Sequence, residues 1–336
     1  MALPPVWVRR VVLAPLMVLL AVVVLSTLPV WLLVAVAASP LVPGRFRLPR
    51  LVWLIVVYLV WDAAALVALA VLWVASGFGW KVRSPAFQRA HYVLTGWFLR
   101  ALFWQARWAL HLRIDVVGTD PDTAAPGRPE LVVSRHAGPG DSFTLIHALV
   151  NRFDREPRIV LKDSLQWDPA VDVLLNRLPN RFIAPGRTAG TSIESEITAL
   201  ATGLDHNDAF VIFPEGGNFT PGRRSRAIRR LRDRGLEDMA VRAERMRHVL
   251  APKPGGLLAA MQAAPDAGVI FVAHTGLDRL VTAGDIWREL PMDKRLIMRF
   301  WSVPPEEVPV GEQQRIAWLY DWWARIDAWV AEHHPA

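Results

Sequence analysis

The 336-residue chain contains no cysteine and carries a formal net charge of +7. The absence of cysteine excludes disulfides, thiolate catalysis and cysteine-ligated zinc, and leaves the redox compartment open. A basic balance suits phosphorylated substrates, anionic membranes or nucleic acid, and a positive mean hydropathy with 16 tryptophans turns that choice toward the membrane. The length allows one large domain or two small ones with ample core.

Residues 11–38 contain no charged side chain, and residues 51–76 contain one, Asp62. Both runs exceed the ~18 residues that mark a membrane-spanning candidate. They are too long for the ~7–15-residue apolar region of a cleaved signal peptide. Pro15 and Pro29 interrupt the first run, so a kinked or re-entrant course is expected. Basic residues stand in the loop between the runs (Arg45, Arg47, Arg50) and on the outer flanks (Arg9, Arg10, Lys81, Arg83), so the positive-inside rule fixes no orientation. The preferred arrangement is a helical hairpin within residues 1–83 with both ends cytoplasmic. It sets a basic domain, 84–336, beside the anionic leaflet; a monotopic hairpin is the alternative. Asp62 is costly inside a bilayer and marks either a functional group or a side chain facing the partner helix or a polar defect.

Residues 84–112, with Trp97, Phe98, Phe103, Trp104 and Trp108, read as an amphipathic helix at the membrane interface, or as an ordinary core helix. Short apolar strands then alternate with helices. Strands are expected at 113–117, 131–133, 158–161, 181–184, 209–213, 269–273 and 296–303. Asp168-Pro169 opens a helix, with Asp as cap and Pro at the first position. Further helices are expected after Asp141, at 191–204, along the Arg-rich segment 223–250, and in the Trp-rich tail 311–333. The alternation defines an α/β class with a mostly parallel central sheet, preceded by the membrane hairpin.

Two constellations follow buried strands. In the first, Leu131 to Val133 lead into Ser134-Arg135-His136-Ala137-Gly138-Pro139-Gly140-Asp141. This places a histidine at a strand exit, where α/β folds gather their chemistry, with a carboxylate five residues on. Asp141 has a second reading as the N-cap of the next helix. In the second, Phe213-Pro214-Glu215-Gly216-Gly217-Asn218-Phe219-Thr220 follows a strand and forms a turn whose backbone N–H groups suit an anion. Behind it lie Arg223, Arg224, Arg226, Arg229, Arg230, Arg232 and Arg234, either a contact for phosphate or anionic lipid or a solvated helix face. Nucleic acid is disfavoured because no aromatic residues interleave with these arginines. There is no G-x-S-x-G elbow, Walker loop or complete G-x-G-x-x-G, and His333-His334 is too isolated for a metal site, so neither metal nor cofactor is expected.

A membrane hairpin, then H-x-x-x-x-D (His136, Asp141), then F-P-E-G (Phe213 to Gly216), in that order, resembles the glycerolipid acyltransferase family, whose best-known member is 1-acylglycerol-3-phosphate (lysophosphatidic acid) acyltransferase. The likeness runs from about residue 86 to the tail. Phe219-Thr220, the segment from His248 to Lys253 and the Trp-rich tail resemble the branch with longer eukaryotic members. The resemblance implies His136 as general base on an acceptor hydroxyl, Asp141 as the group that orients it, and acyl-CoA or acyl carrier protein as co-substrate. It implies Glu215, Gly216, Gly217 and Asn218 as the acceptor-binding turn, and Arg187 or Arg181 as the phosphate contact of the block between the motifs. The partners implied are membrane lipids, a lysophospholipid and the acyl donor. Four departures fall near the acceptor. Arg135 stands where the family usually has Asn, Gly217 where it has Thr, and Asn218 where Arg is commoner, while the last block, 269–273, lacks its usual Pro.

Overall fold

The computed structural model describes residues 3–44, 46–118, 127–138, 140–183, 191–278, 283–290 and 293–333. The chain divides into two compact units. One comprises residues 1–112, 160–187 and 287–293, and the other 113–159, 188–286 and 294–336.

In the first unit, a π-helical turn, Val8–Leu13, leads into α1 (Ala14–Ser26) and α2 (Leu28–Ala38). The break at Thr27 has a local cause. Pro29 offers no N–H to continue the α1 ladder, and its fixed φ suits the first turn of a new helix. The Thr27 hydroxyl donates back to the Val23 carbonyl at 2.8 Å. α3 (Arg47–Ala75) has 29 residues, so it is about 44 Å long, more than the ~30 Å of a bilayer core. Val8–Ser26 and Arg47–Ala75 are the two described stretches long and apolar enough to cross a membrane. α4 (Pro85–Leu110) buries Tyr92, Gly96, Leu99 and Ala109 and turns Val93, Trp97, Trp104 and Trp108 outward.

α1, α2 and α4 pack on α3, and so does the short helix α6 (Pro169–Leu175), capped as expected by Asp168, which accepts from Val171 N at 2.9 Å. Two sequence expectations change here. Asp62 is buried, but it meets Asp168 and the backbone of Ala170 at the start of α6 rather than a partner hairpin helix. Arg9 lies on the outer flank as expected, but it is not a solvated charge there. Its guanidinium is buried, donating to Asp172 Oδ1 at 2.6 Å and to Gln166 Oε1 at 2.9 Å. Residues more than 100 positions away supply these partners, which local pattern does not reveal.

The second unit is built on a sheet. Its strands are β1 (Arg113–Gly118), β2 (Glu130–Ser134), the start of β3 (Glu156–Lys162), β5 (Asp208–Ile212), β6 (Gly268–Thr275) and β7 (Arg295–Val303), while β4 (Arg181–Ile183) belongs to the first unit. The order is β1-β7-β6-β2-β5-β3-β4. β3 begins in this unit and ends in the first, where Val160 to Lys162 pair with β4. Every pairing is parallel except β6 with β7. β2, β5 and β6 are buried along their whole length, as their unbroken apolar runs require. α12 (Glu312–His333) packs on β6, with the Trp322 ring stacked on Phe271 at 4.5 Å.

The Arg-rich segment is not one helix over 223–250. α8 (Pro221–Asp233), capped by Thr220, stops at Gly235, whose φ of +72° ends it; α9 (Glu237–Arg245) follows, and the chain is extended from Met246. α10 (Pro254–Ala263), which opens Pro-Gly-Gly and reads locally as a turn, packs against α7 (Thr191–Ala201).

Candidate active site

Parallel pairing of β2 with both β5 and β6 brings the C-terminal ends of these three strands together. The segments that leave them, 135–141, 213–220 and 276–278, therefore converge, as ligand sites do at strand ends in open α/β sheets. The ladder continues one residue past β2, with Arg135 N donating to Val272 O at 3.2 Å. Phe219 N donates to His136 O at 2.8 Å and fastens the second segment to the first.

His136 and Asp141 lie together. His136 Nδ1 is 3.5 Å from Asp141 Oδ2, and that nitrogen is buried with no hydrogen-bond partner among the described residues. With Nδ1 turned inward, Nε2 is the ring nitrogen left for a substrate. The ring leans on Phe213, centroid to centroid 4.9 Å. Asp141 does not cap α5 (Asp141–Asn151); Gly140, at φ +99°, occupies that position and Asp141 is the first helical residue. Its Oδ2 instead accepts from Ala137 N and Gly138 N, both at 2.6 Å, so the carboxylate closes the loop that carries the histidine. Burial alone would raise its affinity for a proton, but His274, His136 and the Gly138 N–H outweigh burial and hold the carboxyl below the ordinary carboxylate range.

Glu215 is buried beneath its turn. One carboxyl oxygen accepts from His136 N and the other from Leu250 N, each at 3.4 Å. It therefore braces the loops and presents no carboxylate to solvent. Burial pushes its pKa up to about 8, despite the opposing charge of Arg135, so near neutral pH Asp141 is the charged carboxylate beside His136. The folded-state pKa lies above the unfolded value, so the folded chain binds the extra proton. Stability therefore falls as pH rises from about 4.5 to 8 and is level above that. Glu215→Gln is expected to flatten this stretch of a melting-temperature profile against pH. At pH 7 it should keep transfer activity within about threefold, since a neutral side chain replaces a mostly neutral one. A profile unchanged by the substitution would contradict the raised pKa.

Gly216 stands at φ +68°, and a Cβ there would come within 2.5 Å of Lys253 Nζ. A Cβ on Gly217 would lie 3.1 Å from Arg223 Nη1, a guanidinium that donates to Asn218 O at 3.0 Å. Two cations thus close over the glycine turn. Among the described residues Lys253 has no carboxylate within 4.0 Å; desolvation lowers its pKa, and the nearby Arg230 and Arg234 act in the same direction. Lys253 belongs to the site, although sequence marked it only within a stretch of family likeness. Its signal was the glycine pair, which leaves room for a long side chain.

Arg135 is wholly buried. Its guanidinium donates to Asp278 Oδ1 at 2.6 Å, to His248 O at 3.0 Å and to His274 O. Asp278 also accepts from Thr275 Oγ1 and Gly276 N, and its pKa is about 2: burial opposes the fall, but Arg135 and these donors outweigh it. Arg135 is therefore a structural hub below the site. Arg181 opens β4 in the first unit, where it is exposed, and Arg187 lies outside the described residues. No group of three or more metal-binding side chains occurs among the described residues.

A histidine and carboxylate stand at the exit of a central parallel strand, with a cation-lined glycine turn alongside. Residues 113–275, which span both motifs, match the family described as Acyltransferase. That segment, a little under half of the chain, is acyltransferase-like in sequence. No curated protein matches the chain. Among solved structures it is similar to the 1-acyl-sn-glycerophosphate (LPA) acyltransferase PlsC from Thermotoga maritima, with 15% identity over 80% of this chain and 98% of that one and a TM-score of 0.46.

Proposed function

We propose that this protein is a membrane-attached O-acyltransferase that moves an acyl chain from acyl-CoA or acyl carrier protein to the free hydroxyl of a lysophospholipid, foremost 1-acylglycerol-3-phosphate, giving phosphatidate. The observation that carries the reading is the approach of His136 Nδ1 to Asp141 Oδ2 at 3.5 Å. Catalytic hydrogen bonds are often this long before substrate tightens them. Nε2 takes the proton of the acceptor hydroxyl as its oxygen attacks the thioester carbonyl carbon. The C–S bond then breaks, and the departing thiolate recovers the proton from the imidazolium. Asp141 keeps the proton on Nδ1 in the resting ring and stabilises the cation that forms, the logic of a hydrolase triad without a covalent acyl-enzyme.

The glycine turn receives the acceptor's phosphate, with Lys253 and Arg223 as its cations beside Gly216, Gly217 and Asn218. Lys253→Met is expected to raise KM for lysophosphatidate about 10- to 100-fold, the worth of one charge-assisted hydrogen bond, while kcat stays within about twofold. An unchanged KM would remove Lys253 from the acceptor site.

The hairpin anchors the protein in the cell membrane with the acyltransferase domain on the cytoplasmic face. Support comes from the outward apolar side chains of its helices, such as Leu19, Val22, Leu33, Val67 and Val71, and from the outward tryptophans of α4. The direct test offers labelled acyl-CoA and acyl carrier protein, with a panel of lysolipids, to the protein in lipid nanodiscs. Transfer is expected to favour lysophosphatidate over larger headgroups. Failure of every donor and acceptor pair would sink the reading.

A further inference from the structure

We propose that Arg135 and His274 form a reciprocal latch that positions His136 for catalysis. The proposal rests on the reading of His136 as the base. The two residues lie just past the paired ends of β2 and β6. The guanidinium of Arg135 donates to the carbonyl of His274, and the ring of His274 donates from Nε2 to the carbonyl of Arg135 at 3.1 Å. A carbonyl only accepts, so Nε2 carries the proton. The same Nε2 lies 3.7 Å from Asp141 Oδ2. One buried imidazole thus addresses both the backbone immediately before the base and the carboxylate that orients it.

The latch completes the fastening of the 135–136 backbone. Arg135 N is held by Val272 O, Arg135 O by the His274 ring, His136 N by Glu215 and His136 O by Phe219 N. Residues 135 and 274 are 1% and 2% exposed, so no substrate reaches either side chain. They act through His136 and Asp141 and are positioning residues. A group held within about 0.5 Å of its productive place by locked neighbours is what catalysis requires of a base, and small displacements are costly in rate.

The test is a kinetic series on the full-length protein in nanodiscs, with wild type and His136→Ala as bounds. His274→Ala is expected to lower kcat about 10- to 100-fold while KM for donor and acceptor stays within twofold. His274→Gln, whose amide N–H reaches the position of Nε2, should recover kcat to within about threefold. The kcat losses of Arg135→Met and His274→Ala should not multiply in the double variant, because either one opens the latch. Melting curves recorded on each sample normalise activity to folded protein. A wild-type kcat in folded His274→Ala, a His274→Gln no better than alanine, or fully multiplicative losses would each overturn the latch while leaving the base assignment intact. An active His136→Ala would instead remove the base assignment, and the latch with it.

Discussion

His136→Ala should lower acyl transfer about 10²- to 10⁴-fold and leave the fold unchanged, because positioned base catalysis contributes about that much. The ring is partly exposed at the surface of the loop and lies against Phe213. Its backbone bonds to Glu215 and Phe219 do not depend on the ring and remain. The loss should fall on kcat, since the imidazole acts on the proton in flight. Substitutions at Asp141 separate its two tasks. Asp141→Asn keeps an oxygen to accept from Ala137 N and Gly138 N, and its amide nitrogen can take the place of Oδ1, which is buried without a partner. It should fold well and lose most of the activity, because the charge that stabilises the imidazolium is gone. Asp141→Ala should also loosen the loop, at a cost of about 3–6 kcal/mol for two charge-assisted hydrogen bonds. Measured rates and melting temperatures for the three variants check this; full activity in His136→Ala would end the mechanism.

The second large effect lies below the site. Asp278→Asn is expected to cost about 3–5 kcal/mol, because it leaves the Arg135 guanidinium buried without its counter-charge. Arg135→Met combined with Asp278→Asn should recover a good part of that loss, since the uncompensated charge is then gone. The pH sign is definite. The pKa of Asp278 is depressed to about 2, below its unfolded value near 3.8, so its contribution is present above pH 4 and fades as pH falls toward 2. Denaturant unfolding at pH 7 and pH 3 tests both statements. A double variant as unstable as Asp278→Asn would show that the cost lies in the lost acceptor rather than in the stranded charge.

Much of the fold is legible in residue order. The alternation of apolar strands and helices, the cap at Asp168, the break near Pro29 and the exits at His136 and Phe213 are local signals, and local physics produces them. What was not legible depends on partners distant in sequence. Nothing in the run from 295 to 303 says that it pairs antiparallel to β6. Nothing near Asp141 says that Gly140 will take the cap and free the carboxylate for loop amides. Arg135 before the histidine has no local explanation, and the reason lies at Asp278 and His274. His274 itself sits at the end of an apolar strand, where a histidine reads as incidental. Glu215 was read as meeting the acceptor, yet its oxygens are occupied by two backbone amides, a fact that only the fold supplies.

The strand order also fixes when the catalytic machinery can exist during synthesis. Among the described strands, β1 pairs only with β7, and β2 needs β6 on one side. The ribosome releases the apolar helices before β1, and must then add about 180 residues before β7 emerges, roughly 10–35 s at ordinary elongation rates. Throughout that interval the nascent chain has its apolar helices but not the complete sheet that carries His136. A chain truncated before β7 should therefore lack acyl-transfer activity although its apolar helices and the strands before β7 are already made.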